Sequence, residues 1–360
     1  MNSVDTNESA PLVSVVVVNY NCKRWLDNFF PALRAQTIFD RIEVILVDNT
    51  SNDGSAEICE REMKSWPNGI FLPTGGNYGF GGGCNRGAKI ARGKYLFFVN
   101  PDIRPKPNCL EELARHADAS ELKTACPIIL DYDSDNVQNA GSSGFDIFGC
   151  VVAPPLPEQP GKNLEQLFAS ATFFFIRRDF FEKLCGFDEE FFLYSEEMDL
   201  SWRTWLAGES VTLIPCAQVH HQFASNQQNR TSEAKRFYAN RNQLLTLLKN
   251  SQGLLLPLVF TYITLIGTEA VAGAILARKP SFIPSSFFKP MLNVWRLRHH
   301  VLTQRQFIKT YRQRGDWWIA RHFFRFQFGH WGDIKRSLQK GIVIDKSSIP
   351  AKKRQTSAPR

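Results

Sequence analysis

Lys94-Tyr95-Leu96-Phe97-Phe98-Val99-Asn100-Pro101-Asp102 constrains this chain more than any other stretch. A run of apolar and aromatic residues behind Gly93 reads as a strand buried on both faces, as in a parallel sheet covered by helices. Pro101 cannot donate to a ladder, so the strand ends there and Asp102 is presented just past its carboxyl end. Open α/β sheets bind their ligands at that edge. A carboxylate there is a hard oxygen ligand, suited to Mg²⁺ or Mn²⁺ shared with substrate phosphates. Taken alone, Asp102 reads better as the cap of the next helix. The segments that converge on the same edge shift the balance.

Val13 to Val18 is a β-branched run, closed by Asn19, Tyr20 and Asn21. Residues 24–35 carry apolar positions at helical spacing, with Pro31 as a kink. Ile42 to Val47 is a second strand ending in Asp48, and Ser55 is placed to cap the helix that follows the polar turn 49–54. This alternation predicts an α/β fold with a mostly parallel sheet flanked by helices. Gly75 to Gly87 reads as a glycine-rich loop that lets backbone approach a ligand, with a helix behind it that favours phosphate. It is not a dinucleotide fingerprint, because Cys84 stands where the third glycine belongs and the segment follows about the third strand. Pro107 to Ala117 reads as a helix, residues 131–163 as a long loop region, and Ala171 to Ile176 as another buried strand.

Gly186 to Tyr194 is a loop of aromatics and acids leading to Ser195, the expected N-cap of a helix that Gly208 stops. Glu196 and Glu197 then fall in its first turn, where the helix dipole favours the ionised carboxylate that a catalytic base needs. Against this, first-turn acids commonly just stabilise helices, and Asp199 is spaced to pair with Arg203. Ile214-Pro215 reads as the end of a short strand before His220 and His221, which suit a metal, a phosphate or a structural hydrogen bond. Residues 232–249 read as a basic amphipathic helix containing Arg241 and Asn242.

With 360 residues, 43% of them hydrophobic, the chain has room for one large domain and an appendage. The polar first residues predict no secretory signal. Eight cysteines are spread singly without a C-x-x-C pair, which argues against zinc and a disulfide framework and for a reducing cytosol. The net charge of +8 is uneven: residues 278–360 hold 19 Lys and Arg against three Asp, whereas the first 277 hold 24 against 32 acids. Ser251 to Thr268 is uncharged but interrupted by Pro257 and Gly267, with Glu269 next, so a buried or interfacial hairpin is expected rather than a span. From Phe282 to Trp331 aromatics alternate with Arg and Lys, a combination suited to an anionic membrane interface. No nucleic-acid partner is expected, since no such fold precedes it. The organisation read from sequence is a polar tail over 1–11, a catalytic domain over 12–250, a helical membrane-associating appendage over 251–345 and a basic disordered tail over 346–360.

Several blocks in order, namely Ser14 to Asn21, Val47-Asp48-Asn49 with Asp53-Gly54-Ser55, Asn77 to Phe80, Asn85-Arg86-Gly87, Asn100-Pro101-Asp102 and Gly186 through Leu200, resemble glycosyltransferase family 2. The resemblance covers roughly residues 12–250 and is to GT-A-fold enzymes, within them the rhamnosyltransferase-like bacterial members. It implies that Asn19, Asn21 and Asp48 hold the nucleotide, Asp48 accepting from the pyrimidine. Asn77, Gly79, Asn85 and Asn100 would line the donor site, and Asp102 would hold a divalent cation, Mg²⁺ or Mn²⁺. Glu197 matches the position of the general base, with Glu196 its neighbour, and His220 or His221 would close over the diphosphate. The family's usual D-x-D has Asn100 in its first place, and its usual Glu-Asp pair reads Glu-Glu.

The expected reaction is inverting transfer of a sugar, rhamnose favoured, from a dTDP- or UDP-sugar to a glycan or lipid-linked acceptor at the inner face of the cytoplasmic membrane. Such transfer needs one base and charge neutralisation at the departing diphosphate, and no covalent nucleophile. A nucleotidyltransferase would carry a basic glycine-rich loop directly after the first strand. An inactive sugar-binding module would have no reason to keep Asp102 and the glutamate pair together.

Overall fold

The computed structural model describes residues 10–153, 163–169, 173–222, 230–326 and 343–345. The expectations for the extreme N-terminus, for Trp331 and for the tail from 346 lie outside the described residues.

β-Branched and aromatic runs form the central strands because both sheet faces are covered. Strand β1 (Val13–Asn19) leads through helix α1 (Lys23–Arg34) to β2 (Ile42–Asp48), then α2 (Ser55–Ser65) and β3 (Gly69–Pro73). Helix α3 (Gly79–Ala88) crosses back to β4 (Tyr95–Val99), which is followed by the short β5 (Ile103–Pro105), α4 (Cys109–Ala119) and β6 (Thr124–Asp131). Small strands β7 (Val137–Asn139), β8 (Gly144–Phe145) and β9 (Val151–Val152) occupy the segment read as one long loop, and β10 (Leu164–Glu165) follows it. Strand β11 (Phe174–Arg177), helices α5 (Arg178–Lys183) and α6 (Glu196–Leu206), and strand β12 (Val211–His221) follow.

Ten strands make the main sheet, in the order β10-β12-β6-β11-β4-β1-β2-β3 with β5 on β12 and β7 on β6. Strands β1 to β4 run parallel, and β11 enters antiparallel between β4 and β6. The chain runs outward from β1 through β2 and β3, then returns to place β4 on β1's other side. That reversal is the switch point where a ligand crevice opens at the carboxyl ends of the strands.

Four local expectations are corrected. Most of the glycine-rich segment is not a loop: from Gly79 onward it is helix α3 itself, and only residues 75–78 form the turn before it. Its glycines are dictated by long-range packing: a Cβ on Gly87 would lie 2.4 Å from Val16 Cγ1 of β1. Ser55 is not the cap of α2; Gly54 holds that place at φ +84°. Pro215 does not end a strand, because β12 continues to His221 across a register shift between Ile214 and Gln218 that absorbs the missing donor. Helix α7 (Glu233–Asn250), read as a basic amphipathic helix, is mostly buried, its Arg241, Asn242 and Lys249 included.

Helices α8 (Pro257–Leu276), α9 (Lys289–Arg296), α10 (Arg298–Tyr311) and α11 (Asp316–Phe323) follow α7. They are not set apart from the sheet. Val259, Ile266, Val301, Ile308 and Ile319 belong to the same apolar cluster as Leu96, Phe98, Trp202 and Leu244. Helix α8 is, at 20 residues, long and apolar enough to cross a membrane. One side of it, Tyr262, Ile266, Ala270 and Gly273, is buried against the protein, and Glu269 pairs with Arg236 of α7 at 3.2 Å.

Candidate active site

Asp102 lies where the sequence places it, in the turn between β4 and β5. Strand β12 pairs antiparallel with β5, setting His221 opposite Ile103. Successive strand residues face opposite ways, so one histidine of the pair can meet Asp102. It is His221, with Nε2 3.5 Å from Asp102 Oδ2 and the ring almost fully buried. His220 turns away to Asp135, 3.0 Å distant. Asp102 Oδ1 is enclosed, with no hydrogen-bond partner among the described residues. A buried carboxylate oxygen without a donor, beside an imidazole, is a fitting place for a divalent cation.

The asparagines and aspartate at the neighbouring strand ends build the rim of this edge. Asp48 accepts from Asn19 Nδ2 (2.7 Å), Ser51 Oγ (2.6 Å) and the backbone N–H groups of Thr50 (3.0 Å) and Ser51 (3.1 Å). Both its oxygens are thus committed to the turn after β2. Accepting from a pyrimidine, the role implied for it, requires one of those donors to move. Asn19 is fully buried and also reaches Ser51 and Ser55, and Asn21 Oδ1 receives the Asn52 N–H at 2.8 Å. These three shape the turn. Asn100 stands half-buried directly after β4.

Asn77 Oδ1 accepts the Gly79 N–H at 2.9 Å, and the Gly79 carbonyl accepts from Asn49 Nδ2 at 2.9 Å. Gly79 has φ +72°, and a Cβ there would overlap the Phe192 carbonyl oxygen at 1.8 Å. Asn85, from the same helix, donates to the Phe187 carbonyl (2.8 Å) and accepts the Phe187 N–H (2.9 Å). Helix α3 therefore carries the acidic-aromatic loop on its back.

That loop ends in strain. Phe192, Tyr194 and Ser195 have φ values of +63°, +70° and +67° immediately before α6 begins at Glu196. Ser195 occupies the N-cap position, but its hydroxyl makes no capping bond. Helix α7 supplies the restraint instead. Asn242 Nδ2 donates to the carbonyls of Phe191 (3.0 Å), Leu193 (2.8 Å) and Tyr194 (2.6 Å), and Arg241 Nη2 to those of Glu190 (2.5 Å) and Phe191 (2.6 Å).

Glu196 is buried against Gly81 of α3, and its Oε2 has no hydrogen-bond partner among the described residues. Glu197 keeps part of its side chain exposed. Burial raises both carboxyls toward neutral pH, and in Glu196 the adjacent Glu197 charge adds to it. The sequence reading, in which the helix dipole keeps the base ionised, is corrected: desolvation outweighs the dipole. A base whose pKa lies near its working pH is better matched to proton transfer than an ordinary carboxylate.

The family model for Glycosyl transferase family 2 matches residues 14–185. Residues 14–185 carry a family 2 glycosyltransferase domain. Among similar proteins is the N-acetylglucosaminyl-diphospho-decaprenol L-rhamnosyltransferase of Mycobacterium tuberculosis, 29% identical over 240 residues, 59% of this chain and 76% of that one. A low-salt glycan biosynthesis hexosyltransferase of Haloferax volcanii, Agl10, is 24% identical over 58% of this chain and 65% of its own. Among solved structures, GalNAc-T7 with UDP, GalNAc and Mn²⁺ superposes with a TM-score of 0.62 at 16% identity, covering 88% of this chain and 57% of that one. S. aureus TarS 1–349 with UDP gives 0.51 at 14% identity, over 83% and 88%. The GT-A-type fold read from sequence is thus confirmed.

Behind the glutamate pair, this glycosyltransferase buries a neutral quartet that sequence reasoning did not assemble. Lys249 Nζ, fully enclosed, lies 2.5 Å from Asp188 and 3.0 Å from Asp199. Asp199 also holds Arg203 at 2.8 Å, the pairing expected from spacing, and His300 of α10 reaches Asp188 at 2.8 Å. Burial alone would raise the Asp188 carboxyl, but Lys249 and His300 outweigh it and hold it well below the usual carboxylate range. A single lysine inside the apolar run Leu244 to Leu248-Lys249 was the available signal, because a buried lysine demands an acid.

Proposed function

We propose that this glycosyltransferase transfers a sugar, rhamnose favoured, with inversion, from a dTDP- or UDP-sugar to a glycan or lipid-linked acceptor. The observation that carries the reading is Asp102 at the switch-point edge, one oxygen facing His221 and the other enclosed without a donor. Asp102 and His221 would hold Mg²⁺ or Mn²⁺, which when bound neutralises charge on the departing diphosphate. Mn²⁺ and UDP in similar structures, and the lipid-diphosphate acceptor named for the mycobacterial relative, support this choice.

Glu197 takes the proton of the acceptor hydroxyl as its oxygen forms the bond to the anomeric carbon. The bond from that carbon to the diphosphate oxygen breaks with its electron pair on the nucleotide. Glu197 is preferred to Glu196 because it retains exposure, whereas Glu196 is shut against α3. Phe260, Val271 and Ile275 on the open side of α8, with Leu292 and Trp295 of α9, are exposed beside Lys289, Arg296 and Arg298. These suit docking on an anionic bilayer at its cytoplasmic face, where a lipid-linked acceptor is found.

The test is Asp102→Ala, assayed against dTDP-, UDP- and GDP-sugars with and without Mn²⁺. Transfer should vanish while melting stays normal, because the residue sits at the sheet edge. Near-normal turnover of the variant in EDTA would overturn the reading.

A further inference from the structure

A second group of ligating side chains lies away from the donor edge. Glu112 and His116 are four residues apart on α4 and share one face. Cys216 comes from β12, inside the register shift between Ile214 and Gln218. Its Sγ lies 3.1 Å from Glu112 Oε2 and 3.3 Å from His116 Nε2, which are themselves 3.6 Å apart. A point equidistant from the three atoms is about 1.9 Å from each in their plane, so an ion just above that plane meets zinc's usual ligand distances. Cys216 is about 16 Å along the strand from His221 at the ordinary rise per residue, so the donor-edge residues take no part.

We propose that Glu112, His116 and Cys216 bind zinc or a similar borderline-soft divalent cation, with an open fourth position for water. The sequence argued against zinc because no C-x-x-C pair is present; here the ligands are a helical Glu and His and a distant strand Cys, a set that spacing does not reveal.

The surroundings fit a metal ligand set. His116 Nε2 is 2.8 Å from Arg115 Nη2, an obligatory donor, so Nε2 is the unprotonated ring nitrogen and the guanidinium now takes the lone pair that a cation would use. The proton is then on Nδ1, where the Asn163 amide lies 3.1 Å away. With the amide oxygen turned to that position, Asn163 accepts the Nδ1 proton, the arrangement by which ligating histidines are oriented. Asn163 Oδ1 otherwise has no partner among the described residues. Arg115 Nη2 lies 2.5 Å from Glu112 Oε2, so the guanidinium now holds two of the three ligand atoms. Its side chain is more than half exposed and free to leave. Arg115 is therefore a competitor of the cation.

The full-length protein, stripped with EDTA and dialysed, would be titrated with Co²⁺ and then with Zn²⁺. One equivalent of Co²⁺ should give thiolate-to-cobalt charge-transfer absorption, abolished by Zn²⁺. Cys216→Ser should lose the band, and Asp102→Ala should keep it, which separates this site from the donor edge. His116→Ala should weaken binding roughly 10-fold or more. Arg115→Met, which removes the competing cation, should tighten it several-fold; a merely structural hydrogen-bonded cluster would not respond so. Zn²⁺ should raise the melting temperature of the wild type but not of Cys216→Ser, with circular dichroism confirming that each variant folds. No charge-transfer band in the wild type, or a band that survives Cys216→Ser, overturns the proposal, as does unchanged affinity in His116→Ala.

Discussion

Replacing Asn242 by leucine keeps nearly the same volume but removes the amide that holds three carbonyls of the loop before α6. Asn242 is fully buried, whereas its bonds to the Leu193 and Tyr194 carbonyls are only partly buried. Each buried acceptor left unsatisfied costs about 1–3 kcal/mol, and Arg241 still reaches the Phe191 carbonyl, so two are orphaned. Both remaining bonds are only partly buried, which holds each cost to about 1–2 kcal/mol and the expected loss to about 2–4 kcal/mol. Phe192, Tyr194 and Ser195 sit in left-handed conformations that cost roughly 1–3 kcal/mol each and oppose the clamp. With the clamp gone the loop relaxes locally rather than unfolding the protein, and the first turn of α6 loses its fixed position. Turnover of Asn242→Leu should fall roughly 30- to 700-fold, since every 1.4 kcal/mol of lost population is tenfold. Donor affinity should change little, because the donor edge is built from β1, β2 and β4. Steady-state kinetics with donor and acceptor varied separately, beside a melting curve, reads both. If the variant turns over within twofold of wild type while melting several degrees lower, the loop does not position the base and the reasoning fails.

Glu197→Gln should cut transfer by roughly 10²–10⁴ with donor affinity retained; if Glu196→Gln is instead the crippled variant, the base is one residue earlier. Wild-type activity should rise with pH through the neutral range, since the base must lose a proton held above its ordinary pKa; a flat profile from pH 5 to 8 would contradict this. The raised carboxyl of Glu196 means that the folded state binds its proton more tightly than the unfolded chain does. Stability from that group is therefore full below the unfolded pKa and lost as pH rises toward neutral. Glu196→Gln should melt above wild type at pH 8 and level with it near pH 4; an equal offset at both pH values would refute the assignment. High salt should release only part of the protein from anionic liposomes, detergent the rest, and Phe260→Asp with Ile275→Asp should weaken binding at all salt concentrations; recovery of wild type in the supernatant at low salt would exclude membrane docking.

The edge of the sheet was legible in the sequence because its determinants are local. A buried run stopped by Pro101 announces Asp102, and the β-branched run before Asn19 announces β1. The glycine-rich segment misled for the opposite reason. Glycine disfavours a helix in isolation, but the side chains of Val16 and Val18 on β1 leave no room for a Cβ at Gly87 and Gly83. His220 and His221 could not be told apart until the partner strand of β12 was known, since facing is a property of the pair. Arg241, Asn242 and Lys249 read only as parts of a basic amphipathic helix over 232–249. Their partners are loop carbonyls and two acids about 50 residues earlier, a relation invisible to periodicity. The first-turn glutamates were assigned a pKa from the dipole alone because burial cannot be read from a motif.

Helix α7 is a wall shared by two rooms. One side grips the 190–194 loop and Asp188, and the same helix packs on α8, α9 and α10. For protein engineering this makes residue 250 a poor seam. A chimera that imports α8 to α11 from a relative to redirect acceptor choice would carry foreign side chains against a helix already matched to its own catalytic loop. Cut there, the native half would also bare Leu244, Leu245 and Trp202 to water. The exchangeable cassette runs from Gly186 through Phe323, loop and helices together, and graftable acceptor specificity is to be sought in units of that size.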